Sequence, residues 1–330
     1  MSRCLYCYKE LTEDELKQPA GKAGYHTACS RKLFGKAVPP ELPYTENDIL
    51  RLAEQVVRSQ KIVTGVQPKL SLGIEKMKEK DAPDRFTIIG LWGEYILKPQ
   101  TELFSHLPEI EDLTMHLAEA ARISTVNHGL IYLRSGQLAY ITKREDRDRG
   151  KKLHMEDMCQ LTERLTEHKY KGSYEQIAKA ILKYAAHPGL DVVNFYEQVV
   201  FSFLTGNNDM HLKNFSLLKD DQRNYNLCPA YDMVASELVV EGDTEELALN
   251  LNGKKRKLKR SDFETAMLRA DIDAKVIANI FKRFTRILPK WHEWANTSFL
   301  PQDLKNAYHE MLDRKAKQLE LVSGKESTEA

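Results

Sequence analysis

A dense polar segment past the middle of the chain holds the residues best suited to chemistry. Residues 206–214, with the sequence GNNDMHLKN, lie between an apolar helical pattern and an apolar strand pattern. Phosphoryl transfer needs a carboxylate that orients the attacking hydroxyl and accepts its proton, and ligands for the Mg²⁺ that screens the phosphates. Asp209 and Asn214 have the five-residue spacing of these two roles in kinase catalytic loops. His211, between them, is a further catalytic candidate; a simple polar turn is the alternative.

A second carboxylate for the metal follows this segment. Asp232 comes eighteen residues after Asn214, directly beyond a strand-like stretch that passes through Cys228. Kinases hold Mg²⁺ with an asparagine of the catalytic loop and an aspartate further along the chain. The spacing therefore predicts that Asn214 and Asp232 are Mg²⁺ ligands.

Candidates for holding the nucleotide lie in the first half of the chain. Lys98 ends an apolar strand pattern, as expected of a phosphate-binding lysine, and Glu111 on the next helix is its candidate ion-pair partner. Ordinary solvated positions are the alternative for both. A polar turn before the first strand has one glycine, so it is no Walker loop. Its position predicts a phosphate-covering loop of Thr64, Gly65, Val66, Gln67 and Lys69. The hydroxyl of Thr64, next to the glycine, is a candidate for autophosphorylation.

A second cluster of reactive residues lies near the N-terminus. It consists of a Cys-x2-Cys pair and a His-x2-Cys pair with eighteen residues between them, namely Cys4, Cys7, His26 and Cys29. Zinc binds four such ligands tetrahedrally, and small polar segments seldom fold without such a metal. The spacing predicts a zinc module over residues 1–38; reduced thiols with an incidental histidine are the alternative. Cys159 and Cys228 stand in apolar surroundings and are predicted to be buried thiols.

Hydrophobic periodicity indicates the elements that position these residues. It predicts a helix over 46–59, strands over 69–74, 86–89, 94–97, 130–133 and 138–142, and a helix over 109–121 among them. From 155 to 204 the pattern is helical, strongest over 174–184 and 192–203, with Pro188-Gly189 as a break. After a strand-rich interval to about 252, the remainder is helical and begins at Ser261, with Glu264 completing a capping box.

This order of elements predicts an α+β, two-lobed protein-kinase-like fold. The β-rich N-lobe would span 45–145 and the mainly helical C-lobe 146–322, with a nucleotide in the cleft between them. The small N-terminal Cys/His module would precede the lobes, and the tail 323–330 would be disordered because its residues are small or polar.

Composition narrows the class of protein. The 330 residues carry 49 basic and 48 acidic side chains, a net charge of +1, so the overall balance gives no support to a nucleic-acid-coating or membrane-coating role. No apolar run approaches the roughly 20 residues of a membrane span, and the N-terminus does not resemble a signal peptide. We therefore expect a cytoplasmic protein with no membrane partner.

The sharpest charge run is KKRKLKR, residues 254–260. It follows Asn252-Gly253, a hairpin-type turn signal. The run is predicted to be a solvated strand edge protected by its charges, so no direct binding of nucleic acid is expected. Steering of nucleic acid or of a tRNA-bound enzyme is the alternative.

Several of these strings together resemble one family. TGVQPKL at 64–70, ILKP at 96–99, GNNDMHLKNF at 206–215 and PAYD at 229–232 are similar to the HipA toxin kinases of bacteria, particularly their short forms. The likeness runs from about residue 45 to about 320. It implies that Asp209 is the catalytic aspartate, that Asn214 and Asp232 bind magnesium, and that Lys98 contacts the phosphates of ATP. It also implies that Lys143, Arg144 and Glu145 form the lobe-joining segment against which adenine packs.

The resemblance further implies substrates and partners. HipA toxins phosphorylate serine on aminoacyl-tRNA synthetases, so that translation stalls. Full-length members carry an additional N-terminal subdomain; its absence here implies a separate small protein in its place, beside a helix-turn-helix DNA-binding antitoxin. Zinc is not implied by the family. A small-molecule or lipid kinase, and an inert nucleic-acid-binding module, are the other functions that the residues leave open.

Overall fold

The computed structural model describes residues 2–52, 69–77, 83–89, 92–148, 150–240 and 242–322. The predicted loop residues from Thr64 to Gln67 and the predicted disordered tail lie outside the described residues. The chain divides into two compact units. The first comprises Met1–Asp112, Val126–Lys152 and Thr297–Phe299, and the second comprises Leu113–Thr125, Leu153–Asn296 and Leu300–Ala330.

The first unit begins with short helices. These are α1 (Glu13–Lys17), α2 (Pro19–Lys22), α3 (Thr27–Phe34) and α4, described over 46–52. Thr12 caps α1: its hydroxyl accepts from the backbone N–H of Glu15, and the Glu15 carboxylate accepts from the backbone N–H of Thr12. Gly35 ends α3 at a φ of 69°, a left-handed conformation in which glycine has no steric penalty. Local sequence therefore defines this helical module.

An antiparallel sheet forms the main layer of the first unit. Its strands are β1 (Leu70–Glu75), β2 (Arg85–Ile88), β3 (Tyr95–Pro99), β4 (His128–Tyr132) and β5 (Leu138–Lys143), in the order β2-β1-β3-β5-β4. The register places Lys98 of β3 opposite Tyr140 of β5. A two-residue pair, β6 (Arg147–Asp148) and β7 (Lys151–Lys152), follows.

The N-terminal module and the sheet share one hydrophobic core. Phe34 of α3 meets Phe86 and Tyr95 of the sheet at ring-centroid distances of 5.8 and 6.1 Å. The backbone N–H of Leu130, on the edge strand β4, donates to the carbonyl of Leu5 at 3.1 Å. The module therefore covers an edge that would otherwise expose unpaired backbone groups.

Helix α5 (Leu107–Ala120) connects strands β3 and β4 in sequence. Its residues up to Asp112 belong to the first unit, and those from Leu113 belong to the second. The residues from 107 to 118 are all buried, although the run contains several charged and polar side chains. Burial of charge at this density requires specific partners.

The second unit contains a small sheet and seven helices in the part of the chain that the structure describes. The strands β8 (Met155–Asp157), β9 (Ser216–Lys219) and β10 (Tyr225–Leu227) pair antiparallel in the order β10-β9-β8. Besides the C-terminal part of α5, the helices are α6 (Met158–Leu161), α7 (Tyr174–Tyr184), α8 (Pro188–Leu204), α9 (Arg260–Leu268), α10 (Ala274–Thr297) and α11 (Gln302–Gln318). None of the helices within the described ranges is long and apolar enough to cross a membrane.

The strands and main helices appear in the predicted order, and from β1 through β5 their limits differ by at most two residues. The predicted helix over 46–59 is described as far as residue 52, and its remainder lies outside the described residues. Three local details differ from the prediction. Residues 155–157 form a strand, not a helix, because they pair with β9. The predicted break between two helices is confirmed but lies over 185–187, because Pro188 is in the first turn of α8, where its missing N–H costs no hydrogen bond. Helix α9 begins at Arg260, one residue before Ser261.

The cap of α9 and the basic run also differ from expectation. The Asp262 carboxylate accepts from the backbone N–H of Lys259 at 2.9 Å, so Asp262 has the role assigned to Glu264. The turn at Asn252-Gly253 is confirmed: both residues have positive φ, and Leu251 and Lys254 exchange backbone hydrogen bonds. Beyond this turn the basic run forms bends instead of a strand edge. Ion pairs to Asp262 and Glu245 hold its lysines locally.

Candidate active site and Cys/His cluster

The candidate catalytic loop connects α8 to β9, as the sequence predicts. A short 3-10 helix over Leu212–Asn214 brings Asn214 back toward the start of the loop, where its side-chain NH₂ donates to the Asp209 carbonyl at 2.9 Å. The backbone N–H of His211 donates to the same carbonyl at 2.8 Å. Because one carbonyl accepts both bonds, the loop closes on itself, and the backbone position of Asp209 is fixed relative to Asn214.

Neighbouring segments of the second unit hold this loop from outside. The Tyr174 hydroxyl of α7 donates to the Met210 carbonyl at 3.0 Å. The backbone N–H of Asn208 donates to the Ser236 hydroxyl at 2.9 Å, and that of Glu237 donates to the Gly206 carbonyl at 3.0 Å. Polar side chains and backbone groups therefore support the loop at three points.

Tyr170 contacts the candidate catalytic carboxylate directly, and sequence reasoning missed it. Its hydroxyl donates to Asp209 Oδ1 at 2.5 Å, and its ring lies edge-on to His211 at 4.9 Å between centroids. Partial burial and the Asp209 carboxylate raise the pKa of Tyr170, so the hydroxyl stays protonated and acts as a donor. Tyr170 stands in a polar stretch of short turns 39 residues before Asp209, where no pattern indicates a role.

Asp232 lies close to the loop. Burial lowers the pKa of His211 to about 4, while the carboxylates of Asp209 and Asp232 act in the opposite direction. Tyr231 donates its hydroxyl hydrogen bond to the Lys213 carbonyl at 3.1 Å, which ties the Asp232 segment to the loop. Asp232 itself has a φ of 56°, a left-handed conformation that aspartate tolerates better than most residues. The tertiary structure thus brings together Asp209, His211, Asn214 and Asp232.

Lys98 and Glu111 form a buried ion pair in the first unit, as predicted. Lys98 Nζ and Glu111 Oε1 are in direct hydrogen-bonded contact, and the two residues are 3% and 2% exposed. The Lys98 amine also lies 5.3 Å from the ring centroid of Tyr140, the residue opposite it in the sheet. The alternative of solvated positions is therefore wrong for both residues.

The predicted lobe-joining residues lie at the end of β5 and just beyond it. The Arg144 guanidinium makes two hydrogen bonds of 2.8 Å to the Asp146 carboxylate, and its backbone N–H donates to the Glu94 carbonyl. Burial raises the pKa of Glu145. Lys143 is the last residue of β5, whereas Lys69, from the predicted phosphate loop, is exposed directly before β1.

The four N-terminal cysteine and histidine residues converge on one point. Their potential ligand atoms all lie within 4.8 Å of one another. The His26 Nδ1 atom is 3.4 Å from the sulfur of Cys7 and 3.8 Å from that of Cys29, which is about the separation of ligands around a tetrahedral zinc ion. Cys4 and Cys7 lie on a tight turn, and Cys29 lies in the first turn of α3, with His26 at its N-cap.

The protonation chemistry of this cluster suits a metal. His26 Nε2 lies 3.3 Å from the Glu10 carbonyl, which favours the tautomer that leaves Nδ1 free to bind a cation. Hydrogen bonds with Cys29 and Cys7 lower the pKa of Cys4, while the bond with Cys4 raises the pKa of Cys29, so one thiolate is favoured before a metal binds. Cys159 and Cys228, by contrast, are buried at 2% and 4% exposure, as predicted.

Comparison with known proteins identifies the family. The model of the HipA-like C-terminal domain matches residues 62–291, so the chain belongs to this family. A protein of Haemophilus influenzae named "Putative kinase" is 29% identical over 247 residues, covering 71% of this chain and 68% of that protein. "Putative kinase Y4dM" of Sinorhizobium fredii is 33% identical over 202 residues, covering 57% of this chain and 49% of that protein.

Two solved structures have a similar fold. The complex of HipA, HipB and operator DNA from a Shewanella oneidensis toxin–antitoxin system matches with a TM-score of 0.64 and 19% identity, covering 80% of this chain and 70% of the matched chain. The proinflammatory kinase CtkA of Helicobacter pylori matches with a TM-score of 0.50 and 18% identity, covering 68% of this chain and 87% of CtkA. The predicted α+β kinase-like fold and the resemblance to HipA are thereby confirmed.

Proposed function

We propose that this chain is a Mg-ATP-dependent protein kinase that phosphorylates serine or threonine and acts as the toxin of a toxin–antitoxin system. The observation that carries this proposal is the closed loop in which Asn214 fixes the backbone of Asp209, with Asp232 close by. Two potential metal ligands beside a carboxylate suited to orient a hydroxyl are the groups that phosphoryl transfer requires.

Each residue then has a defined task. Asp209 orients the attacking serine or threonine hydroxyl and accepts its proton. Asn214 and Asp232 would hold Mg²⁺, whose chemistry is to screen the charge of the phosphates. Lys98, kept in place by Glu111, binds the phosphates of ATP, while the segment from Lys143 to Glu145 packs against adenine. Neutral His211 supports Asp209 through the loop and does not itself transfer the proton.

The proposed substrate is an aminoacyl-tRNA synthetase, phosphorylated so that translation stops in the cytoplasm. The proposed partners are a small protein similar to the N-terminal subdomain of longer HipA proteins and a helix-turn-helix antitoxin that binds DNA. Membership of the HipA-like family and the fold shared with a HipA that is bound to HipB and DNA support these assignments. In this arrangement the antitoxin makes the DNA contacts.

We also propose that Cys4, Cys7, His26 and Cys29 bind one zinc ion per chain. The tautomer favoured for His26 and the convergence of four soft or borderline ligands support zinc over Mg²⁺ or Ca²⁺, which prefer oxygen. Elemental analysis of protein purified without an affinity metal tests this directly. Near-stoichiometric zinc that disappears in a Cys4→Ser, Cys29→Ser variant is expected, and metal-free wild type would contradict the assignment.

Substitution of the two carboxylates tests the kinase assignment. Asp209→Asn should reduce phosphoryl transfer from Mg-ATP by about 10²–10⁴-fold because the acceptor of the substrate proton is lost. Asp232→Asn should abolish detectable phosphoryl transfer because it removes a metal ligand. Radiolabelled ATP with a cell extract, lipid vesicles or small metabolites as acceptors separates protein kinases from the other two classes.

Asp220→Asn is the matched control, since Asp220 lies in the turn between β9 and β10 and is not part of the catalytic loop. This variant should retain wild-type activity. If growth arrest accompanies expression of the wild type, both active-site variants should relieve it. Near-normal transfer in Asp209→Asn and Asp232→Asn would refute the catalytic assignment.

Autophosphorylation of Thr64 is a second part of the proposal. A phosphate there would add roughly −1.5 to −2 charges beside the triphosphate and weaken ATP binding. Thr64→Asp should therefore bind ATP more weakly than wild type, whereas Thr64→Ala should bind normally. Mass spectrometry after incubation with Mg-ATP should find phosphate on Thr64 in wild type and none in Asp209→Asn. Its absence from both would mean that Thr64 is not a site of self-inhibition.

A further inference from the structure

Tyr8 lies on the tight turn that contains Cys4 and Cys7, two of the four residues of the Cys/His cluster. The backbone N–H of Tyr8 donates to the Cys4 carbonyl, and that of Cys4 donates to the Lys9 carbonyl, each at 2.9 Å. Tyr8 has a φ of 61°, a left-handed conformation that is unfavourable for a tyrosine. It is nevertheless buried at 3% exposure. Such a conformation persists only where its surroundings hold it, and Cys7 is the residue directly before it.

Tyr8 connects this turn to helix α5. Its hydroxyl donates to Asp112 Oδ2 at 2.7 Å, and the other carboxylate oxygen, Oδ1, lies 2.7 Å from His128 Nδ1 of β4. Asp112 is fully buried. A buried carboxylate that is hydrogen-bonded through both oxygens has little freedom to move, because loss of either bond leaves charge unsatisfied. The Tyr8 hydroxyl therefore helps to fix the rotation of α5 at Asp112.

The residue before Asp112 is Glu111, the partner of Lys98. Glu111 and Asp112 are consecutive residues of α5, so a rotation of the helix that displaces Asp112 also displaces Glu111. The network closes through Tyr140, whose ring stacks on His128 at 6.0 Å between centroids and receives the Lys98 amine on its face. A continuous set of contacts within the first unit thus leads from the Cys/His cluster to the phosphate-binding lysine.

We propose that the Cys/His cluster is a regulatory zinc site: bound zinc holds Tyr8 against Asp112 and thereby sets the Lys98–Glu111 pair for ATP. Loss of zinc releases the turn, lets α5 rotate and weakens nucleotide binding. The inference rests on the proposed zinc and kinase assignments. It adds that nucleotide binding by the kinase depends on bound zinc. The cluster lies outside residues 62–291, the segment that the family model matches, whereas the Lys98–Glu111 pair on which it acts lies within that segment.

The test uses the full chain and the Tyr8→Phe variant, which keeps all four metal ligands. Tyr25→Phe is the matched control, because Tyr25 is an equally buried tyrosine of the same module whose hydroxyl donates to the Leu130 carbonyl on β4. Two quantities are measured besides zinc content: amide hydrogen exchange of the α5 segment from 107 to 112 without nucleotide, and the Kd for Mg-ATP.

Tyr8→Phe should retain its zinc, exchange the α5 amides faster and bind Mg-ATP about fivefold more weakly, an indirect effect smaller than the full worth of one hydrogen bond to a buried carboxylate. Tyr25→Phe should leave both quantities at wild-type values. Removal of zinc from wild type with a chelator that contains no thiol should also make the α5 amides exchange faster. Adding zinc back should restore the slower exchange.

The results that would refute this coupling differ from those that would refute the zinc or the kinase assignment. Metal-free wild type would remove the zinc site, and wild type that binds no Mg-ATP would remove the kinase assignment. If wild type holds zinc and binds Mg-ATP, unchanged α5 exchange and unchanged Kd in Tyr8→Phe would overturn the coupling. Equal changes in Tyr8→Phe and Tyr25→Phe would also overturn it, since they would indicate general loosening of the module.

Discussion

The two groups of proposed catalytic residues are held in different ways. In the first unit Lys98 and Glu111 are almost fully buried and satisfy each other as opposite charges. In the second unit Asp209 is only partly buried, its backbone is fixed by Asn214, and its carboxylate accepts from the neutral hydroxyl of Tyr170. One region relies on a buried ion pair and the other on backbone geometry and neutral donors.

This difference has an energetic consequence. A buried charge that loses its partner is strongly destabilising, because desolvation is no longer compensated. A partly exposed carboxylate that loses a neutral donor can be solvated by water instead. The first region should therefore couple activity tightly to folding stability, whereas the second should allow changes in activity with little change in stability.

The largest expected effect breaks the buried pair. Glu111→Ala leaves the Lys98 amine buried without its carboxylate and should lower the free energy of unfolding by about 3–5 kcal/mol. The double variant Lys98→Met, Glu111→Leu should recover most of that loss because it removes both charges. Both proteins should be inactive as kinases. Urea denaturation followed by circular dichroism measures the difference; equal stability of the single and double variants would mean that the pair is not desolvated in solution.

A smaller loss of folding stability is expected at Asp262. This residue tests whether the loss depends on burial of the charge or on the unit in which the charge lies. Asp262 is in the second unit but only 3% exposed, and it accepts from the Lys254 amine at 2.8 Å. Burial acts to raise the pKa of Asp262, but hydrogen bonds from Lys254, Asn252 and the Lys259 backbone outweigh it and lower the pKa. Asp262→Asn should cost about 1–3 kcal/mol of stability at pH 7.

The pH dependence of this effect has a definite sign. Since the pKa of Asp262 is lower in the folded state, its stabilisation is present above the unfolded value of about 3.9 and is lost as the pH falls through the folded value. The deficit of Asp262→Asn should therefore shrink below about pH 4. Glu264→Gln, which removes a partly exposed ion pair with Arg260, should change stability by at most about 0.5 kcal/mol at any pH. A deficit in Asp262→Asn that persists at low pH would contradict the charge argument.

The smallest expected effect concerns Tyr170. Its side chain is 44% exposed, so Tyr170→Phe should leave the melting temperature almost unchanged. The Tyr170 hydroxyl donates to Asp209 Oδ1, so the variant should free that oxygen for the substrate hydroxyl. We expect kcat/KM to rise about two- to fivefold, which is close to the net contribution of one hydrogen bond that water can replace. Tyr184→Phe, at an equally exposed tyrosine at the end of α7, is the control. A tenfold fall in kcat/KM would instead make Tyr170 a positioning residue for Asp209.

Sequence by itself determined much of this protein. The order of strands and helices follows from local periodicity and capping, which depend on neighbouring residues alone. The proposed roles of Asp209, Asn214, Asp232 and the four N-terminal cysteine and histidine residues follow from residue type and spacing, because catalytic loops and metal sites need particular groups at particular intervals. Lys98 and Glu111 were also found in this way, although their burial was not.

Only the tertiary structure decided the remaining contacts. Tyr170 meets Asp209 across 39 residues and Tyr8 meets Asp112 across 104, and neither tyrosine stands in a pattern that marks it. The strand at 155–157 exists because β9 is beside it, and Lys254 and Lys255 of the basic run form ion pairs with Asp262 and Glu245. Local patterns specify which conformation a segment prefers. They do not specify which distant side chain fills a hydrogen-bonding site, because that depends on how the folded chain packs.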